Sequence, residues 1–269
     1  MTNNPRTPTD LAHALLQARH SGELLDADDW ADVVRAPADA QAVQAAMAPA
    51  LGWRVAGSQQ GPGRVPGYWK SGAPRRDAPL THAPLPPAGV WASPATVARW
   101  PVYARGIEAE IALRLGEDVS PSQAARLVEG QGAELIDAMA VSIELVESRW
   151  LQQFSAPPLL LLADQLCHGA LVVGDWQPCD LVNAAPDWSR QVCRLRVGSA
   201  EVTEHVGTHS LGDPAWLLAE WLRHATAEYG TLRAGTVVTT GSWVGLVRAQ
   251  PGERVHAQFE GIGEAWLQF

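Results

Sequence analysis

The chain has 269 residues, of which 46% are hydrophobic and 18% are charged, so it is long enough to bury a sizeable core. Its formal net charge of -9 argues against a nucleic-acid-binding surface, which needs clustered lysine and arginine. No apolar run approaches the ~20 residues of a membrane span, and the N-terminus lacks the apolar core of a signal peptide. The three cysteines have no metal-ligand spacing and are odd in number. We therefore expect a cytoplasmic protein with reduced thiols.

The first part of the chain has a helical pattern that is followed by a long loop. Thr9 is the expected N-cap of a first helix that ends at Gly22, and a second helix is expected to bury Val43 and Met47. Residues 52–101 are rich in glycine and proline, so only short regular elements are expected there. The aromatic residues of this segment indicate that it is packed against the protein.

Beyond Pro101 the pattern becomes mostly β. Residues 107–115 alternate strictly, with an apolar row on one side and Glu108 and Glu110 on the other. On a strand, the two carboxylates lie roughly 7 Å apart on one face. Two like charges this close repel each other unless something positive lies between them. Two explanations stay open, namely a solvated strand face and a divalent metal site.

The later segments add a third carboxylate and mark the remaining elements. "MAVSIELVE" alternates in the same way and places Glu144 opposite a core-facing row. A short helix is expected after Ser120, a hairpin around Gly198 and a helix from Asp213 to Gly230. The closing strands lie in the sequences "TVVTTGS", "RVHAQFE" and "AWLQF".

Several common active-site motifs are absent from the sequence. It has no G-x-G-x-x-G that opens a helix, no G-x-x-x-x-G-K-[ST] and no G-x-S-x-G, because Ser242 directly follows Gly241. His205 and His209 have helical metal-ligand spacing, but Gly207 between them argues against a helix. We therefore assign these two histidines structural or surface roles.

The three glutamates favour an all-oxygen site for Mg²⁺ or Mn²⁺, which prefer carboxylate and water ligands. Such an ion keeps open positions for a substrate with two adjacent oxygens, such as a 2-oxo acid, and stabilises its enolate. Lys70 is the only lysine among 20 lysines and arginines. It is either a chance surface residue or a position where arginine does not serve, since only lysine can lose its proton when it is desolvated.

An ordered set of motifs resembles the 2-keto-4-pentenoate hydratase family of the fumarylacetoacetate hydrolase superfamily. The resemblance covers residues ~100–269 closely and the N-terminal part more loosely. The motifs are "IEAEIALRLG", "SIELVESRW", "LLADQLCHGALVVGDW", "LGDPAWLLAEWL", "LRAGTVVTTGSWVG" and "GIGEAWLQF". The sequence departs from the family in the Pro-rich segment "THAPLPPAGVWASP", which lacks an acidic residue near the active site, and in Asp213, where the family often has histidine.

The resemblance implies an α+β fold, a mixed β-roll with an N-terminal helical portion. Residues 1–100 would form the helical and loop portion and residues 101–269 the metal-binding catalytic portion of one integrated domain. The implied metal ligands are Glu108, Glu110 and Glu144; the catalytic residues are Lys70, in "GYWKSG", and Ser242; the substrate-binding residues are Asp164, Gln165, Thr240, Gly241 and Ser242.

The implied activity is Mg²⁺- or Mn²⁺-dependent hydration of a 2-hydroxy-dienoate or 2-oxo-alkenoate through an enolate. Lys70 would bind the substrate carboxylate or move a proton, and a pKa lowered by burial would make it a better base. The alternatives within the family are decarboxylation and C–C hydrolysis of a related 2-oxo acid. An alternative of another class is a small-molecule-binding protein that has lost catalysis. We expect a homo-oligomer with a small-molecule substrate and no nucleic-acid or membrane partner.

Overall fold

A computed structural model describes residues 6–53, 65–97 and 100–269. The described helices are α1 (Pro8–Ser21), α2 (Pro37–Leu51), α3 (Pro121–Ala124), α4 (Pro158–Ala163) and α5 (Leu218–Tyr229). The described strands are β1 (Tyr68–Gly72), β2 (Thr81–Pro84), β3 (Val90–Ala92), β4 (Ala95–Thr96), β5 (Gly106–Leu115), β6 (Ile136–Val146), β7 (His168–Val173), β8 (Gln177–Pro178), β9 (Val192–Val197), β10 (Thr203–Val206), β11 (Val237–Thr239), β12 (Val247–Arg248), β13 (Arg254–Phe259) and β14 (Gly263–Gln268).

The larger of the two described sheets has a mixed topology with β5 and β6 at its centre. Its strand order is β2-β1-β11-β5-β6-β7-β3, with β12 paired to β5 and β8 paired to β6. The β1–β11 and β3–β7 pairs are parallel, whereas β5 and β6 form a long antiparallel ladder. The alternation of residues 107–115 is confirmed, because Ile107, Ile111 and Leu113 belong to the apolar core, whereas Glu108 and Glu110 line a pocket on the other face.

A second sheet covers the apolar face of this ladder. Its strand order is β10-β9-β13-β14-β4, and its inward residues, such as Phe259 and Leu267, share one core with β5, β6 and the apolar side of α5. The expected hairpin around Gly198 is present as the β9–β10 pair. The other face of β5 and β6 carries the glutamates and is left free to form a site.

The N-terminal helices have their own core, which joins α1, α2 and α4 around Trp150. The predicted N-cap of α1 was wrong by two residues, because Thr7 accepts a hydrogen bond from the Asp10 backbone at 3.3 Å and forms a capping box with it. Among the described residues, no helix is long and apolar enough to cross a membrane.

The Gly- and Pro-rich segment contains short strands where it is described. The strands β1 to β4 have between two and five residues each, in agreement with the expectation of short elements. The expectation did not place Lys70 on a strand, yet it lies in β1, whose parallel pairing with β11 aligns Lys70 with Thr239. This pairing brings the lysine to the glutamate-bearing face. The part of the loop in residues 54–64 and 98–99 lies outside the described residues.

Candidate metal centre and active site

The three predicted glutamates lie together because of strand register. Glu108 on β5 is directly opposite Glu144 on β6, and Glu110 is opposite Ser142 on the same ladder. All three side chains therefore project from one face of the sheet. One carboxylate oxygen from each glutamate lies within 4.8 Å of the others. Glu110 and Glu144 are buried and Glu108 is half-buried, so the explanation of a solvated strand face is wrong.

Lys70 reaches the same cluster from β1. Its Nζ donates to Glu144 Oε1 at 2.7 Å and to the Leu166 carbonyl at 3.1 Å. The lysine side chain is only 14% exposed. The explanation of Lys70 as a chance surface residue is therefore wrong. Its ammonium group is the positive partner of Glu144 within the cluster.

Glu110 is oriented by the loop that follows β11. Its Oε2 accepts hydrogen bonds from the Thr239 hydroxyl and from the Gly241 backbone N–H, the latter at 3.1 Å. The Thr239 hydroxyl is in turn 3.0 Å from the hydroxyl of Ser142. Gly241 has φ of +109°, a conformation that side chains disfavour. A glycine at this position lets the backbone turn its N–H toward the carboxylate.

Burial and mutual repulsion change the acidity of the carboxylates. Burial and the charge of Glu144 raise the pKa of Glu108 to about 7 and the pKa of Glu110 to about 8. Burial also opposes the charge of Glu144, but Lys70 and His168 outweigh that effect and lower its pKa. Glu108 and Glu110 therefore keep protons near neutral pH, and the cluster carries more negative charge than the single ammonium group balances once both are ionised.

The charge state of Lys70 differs from the one that the sequence suggested. Burial disfavours the ammonium form, but the carboxylates of Glu144, Glu108 and Glu110 stabilise it more strongly, and the pKa of Lys70 is raised. The expectation of a neutral lysine produced by burial was wrong because it left out these three charges. In this arrangement Lys70 is a cation that donates hydrogen bonds to Glu144 and to the Leu166 carbonyl.

The cluster opens into a pocket of about 380 Å³, which is within the range of small-molecule sites. Lys70, Glu108 and Glu110 are the only charged side chains in its lining among the described residues. Gly241 and Ser242 line it as the sequence predicted. The other lining residues are small or apolar, namely Ser71, Gly72, Ala73, Pro74, Thr81, Leu166, Ser210, Thr239 and Gly245.

Three predicted substrate-binding residues lie beneath the site instead of in its lining. Asp164 is completely buried and accepts hydrogen bonds from Arg149 Nε at 2.7 and 2.8 Å with its two oxygens. Gln165 is also buried, and its amide donates to the Pro84 carbonyl at 2.6 Å. The Thr240 hydroxyl donates to the Ile111 carbonyl at 2.7 Å. These hydrogen bonds attach the three side chains to the protein itself, while Oε1 of Gln165 is buried and has no hydrogen-bond partner among the described residues.

His168 and the turn before it were missed by the sequence analysis. His168 is completely buried, and its Nδ1 is 3.1 Å from Glu144 Oε1, a contact with the site that the sequence analysis did not predict. Gln165, Leu166 and Cys167 have φ of +51°, +54° and +62°, which is a left-handed turn without glycine. This turn presents the Leu166 carbonyl to Lys70. No sequence signal marks such a turn, because these residue types normally avoid it.

The site meets the requirements of a hard divalent cation. Its potential ligands are carboxylate oxygens, which Mg²⁺ and Mn²⁺ prefer. Glu144 Oε2 is buried and has no hydrogen-bond partner among the described residues, and a buried acceptor of this kind is costly unless something positive binds it. A cation bound to Glu108, Glu110 and Glu144 would provide that partner and offset the excess negative charge.

The sequence matches the family model described as fumarylacetoacetate (FAA) hydrolase C-terminal over residues 54–268. The chain belongs to this family. The match spans both described sheets and all the residues of the cluster. The predicted membership of the fumarylacetoacetate hydrolase superfamily is therefore confirmed at that level.

Solved structures with a similar fold include enzymes of several reaction types. 4-Oxalocrotonate decarboxylase from Pseudomonas putida G7, complexed with magnesium and adipate, has a TM-score of 0.75 at 17% identity and covers 97% of both chains. Fumarylpyruvate hydrolase from Pseudomonas aeruginosa, in complex with Mn²⁺ and pyruvate, has a TM-score of 0.51 at 18% identity and covers 80% of this chain and 93% of its own. 2-Hydroxyhepta-2,4-diene-1,7-dioate isomerase from Mycobacterium marinum has a TM-score of 0.53 at 17% identity, and the match covers 75% of this chain and 73% of the isomerase. These likenesses confirm the predicted α+β fold of the β-roll type.

Proposed function

We propose that the protein is a Mg²⁺- or Mn²⁺-dependent hydratase that adds water to a 2-hydroxy-dienoate with one carboxylate. The observation that carries the proposal is the convergence of Glu108, Glu110, Glu144 and Lys70 at one small pocket. The metal content of the decarboxylase and hydrolase structures with a similar fold supports a divalent ion at these glutamates. When bound, such an ion acts as a Lewis acid that stabilises negative charge on the 2-oxygen of the substrate.

Lys70 has the position and charge to bind an anionic substrate. Its ammonium group lies beside the glutamates, and two of its donors are used by Glu144 and the Leu166 carbonyl. An ammonium group has three donors, so one is left for a substrate carboxylate or enolate oxygen. Ser242 lies in the pocket lining, and its hydroxyl already donates to the Gly245 carbonyl at 3.0 Å. Its oxygen accepts a hydrogen bond from the Val244 N–H at 3.3 Å, which leaves one acceptor lone pair for a water molecule or a substrate hydroxyl.

The proposed reaction takes place in two steps. In the first, the 2-hydroxy-dienoate loses its enol proton and gains a proton at C5, which gives a 2-oxo-3-enoate. In the second, the hydroxyl of a water molecule adds to C4 and its remaining proton goes to C3, which gives a 4-hydroxy-2-oxo acid. Lys70 is the proposed cation that holds the developing enolate in both steps.

The charge of the pocket favours a substrate with an uncharged tail. The described lining has no arginine or histidine, and Lys70 is its only cation. A second substrate carboxylate would therefore lie in this pocket without a basic partner, at a cost in binding free energy. This is the argument for a monocarboxylic dienoate over an enedioate.

Decarboxylation of a 2-oxo-enedioate is the second candidate function. The structural match to 4-oxalocrotonate decarboxylase favours it, since that match covers 97% of each chain. Arg76 is the residue that would separate the two candidates. It is exposed, and its Nε donates to the Leu211 carbonyl at 2.6 Å, next to Ser210 of the pocket lining. In a decarboxylase it would be placed to bind the second carboxylate.

A substrate panel tests the proposal. The protein is incubated with 2-hydroxypenta-2,4-dienoate or with 4-oxalocrotonate in the presence of Mg²⁺, and ultraviolet absorbance and released CO₂ are followed. We expect the dienoate absorbance to fall without CO₂ release, EDTA to stop the reaction, and Arg76→Gln to leave it unchanged. Faster turnover of 4-oxalocrotonate with CO₂ release, together with a raised KM in Arg76→Gln, would establish the decarboxylase. No turnover of either compound would contradict both.

A further inference from the structure

The two oxygens of the Glu144 carboxylate have different surroundings. Oε1 accepts hydrogen bonds from Lys70 Nζ at 2.7 Å and from His168 Nδ1 at 3.1 Å. Oε2 is buried and has no hydrogen-bond partner among the described residues. Because an ionised carboxylate only accepts hydrogen bonds, the Nδ1 atom of His168 must be the donor. The protein thus occupies one oxygen with two donors and leaves the other for a ligand.

His168 is itself held from its backbone. Its carbonyl accepts a hydrogen bond from Arg149 Nη1 at 2.8 Å, and Arg149 forms a buried ion pair with Asp164. The left-handed turn of residues 165–167 immediately precedes it. The start of β7 is also the place where the β6–β7 pairing shifts, between Leu145 and Val146. This irregularity sets His168, and not a residue one position away, beside the glutamate.

A single donor would hold Glu144 less firmly than the pair does. Lys70 has a flexible four-carbon side chain, and its ammonium hydrogens point in several directions. The carboxylate could then rotate with the lysine, and either oxygen could turn toward the cation. The imidazole is a planar donor on a short side chain, and it is completely buried. It therefore fixes the plane of the carboxylate.

We propose that His168 is a positioning residue that presents Glu144 Oε2 to the divalent cation as a one-oxygen ligand. The proposal rests on the metal site proposed above. Removal of a partner that orients a metal ligand typically lowers the metal affinity by about 10- to 100-fold. We expect a loss of that size for a His168 variant that keeps its volume but has no donor.

The experiment measures Mn²⁺ binding by calorimetry, without substrate, in three variants of the full chain. His168→Leu removes the donor and replaces the imidazole by an apolar side chain of similar size. His168→Asn keeps an N–H at the position of Nδ1, because both nitrogens are bonded to the γ carbon. His224→Leu is the matched control, since His224 is a half-buried histidine that stacks on His82 and is not within hydrogen-bond distance of the glutamates. Circular dichroism checks that each variant is folded, and His168→Met replaces His168→Leu if the latter is not.

We expect Mn²⁺ to bind about 10- to 100-fold more weakly to His168→Leu, and within about 3-fold of wild type to His168→Asn and His224→Leu. Wild-type affinity in His168→Leu, or equal losses in the Leu and Asn variants, would overturn the proposal. The Glu144→Gln variant distinguishes a wrong role for His168 from a wrong assignment of the metal site. If Glu144→Gln weakens binding and His168→Leu does not, only the positioning role is wrong. If the wild-type protein binds no Mn²⁺, the metal site is wrong, and the role of His168 is overturned with it.

Discussion

The crowded carboxylates make a quantitative prediction about the metal-free protein. Replacing Glu110 by Gln should stabilise the protein at alkaline pH, because the neutral amide removes one of three neighbouring negative charges. The amide oxygen of glutamine can still accept the hydrogen bonds that Thr239 and Gly241 donate to Glu110. The fold around the site is therefore expected to persist.

The size and sign of the effect follow from the pKa of Glu110. It is raised to about 8 from the ordinary value of 4.5. A carboxyl group whose pKa is raised in the folded state does not destabilise that state below pH 4.5. Its destabilising effect on the folded state grows as pH rises to about 8 and is complete above that value. At about 1.36 kcal/mol per pH unit the full difference corresponds to about 5 kcal/mol. Because Glu108 and Glu144 share protons with Glu110 and the side chains can relax, we expect about 2–3 kcal/mol.

Urea unfolding of EDTA-treated protein at pH 5, 7 and 9 measures this effect. The free energy of unfolding of Glu110→Gln should be close to that of wild type at pH 5 and exceed it by about 2–3 kcal/mol at pH 9. Glu129→Gln is the matched control, because Glu129 is exposed, and it should change stability by less than about 0.5 kcal/mol at every pH. A difference for Glu110→Gln that does not grow with pH would refute the reasoning about buried, repelling carboxylates.

Three other predictions concern the metal, the lysine and the support beneath the site. Mn²⁺ affinity measured by calorimetry should rise between pH 6 and 8, because Glu108 and Glu110 lose the protons that compete with the ion. The rise should be up to about 10-fold per pH unit for each proton displaced. An affinity that does not change with pH would contradict the assigned ligands. Lys70→Arg should lower kcat by about 100-fold or more, because the wider, planar guanidinium places its charge and its donors differently from Nζ, which bonds both Glu144 and the Leu166 carbonyl. Wild-type kinetics would remove Lys70 from the mechanism. Asp164→Asn should lower the free energy of unfolding by about 3–5 kcal/mol, because it leaves Arg149 buried without a charged partner, and a loss below about 1 kcal/mol in urea unfolding would contradict this.

The metal cluster could be predicted because its physical basis is local in the sequence. Alternating strand patterns fix which side chains share a face, so the sequence alone was enough to assign Glu108, Glu110 and Glu144 to one side of their strands. Their proximity depends on the pairing of β5 with β6. The family resemblance implied that the three glutamates bind one metal, and the structure shows the register that brings them together. The scarcity of lysine in turn pointed to Lys70.

Other parts of the site depend on long-range structure that leaves no pattern in the sequence. The turn at residues 165–167 adopts left-handed conformations without glycine, because the Arg149–Asp164 ion pair and the Gln165–Pro84 hydrogen bond hold it in place. The resemblance implied a substrate-binding role for Asp164 and Gln165, whereas the Asp164 carboxylate and the Gln165 amide N–H form hydrogen bonds inside the protein. His168 was missed for the same reason, since nothing in its local sequence indicates that it contacts Glu144.

Anomalous diffraction at the manganese edge, from crystals of the protein grown with Mn²⁺, tests the central claim most directly. We expect one strong peak among Glu108, Glu110 and Glu144, about 2.1 Å from one oxygen of each carboxylate, and no such peak in crystals of Glu144→Gln. A Mn²⁺ peak elsewhere, or no peak in crystals of wild-type protein that holds the three glutamates in the same positions, would contradict the claim that they form a metal centre.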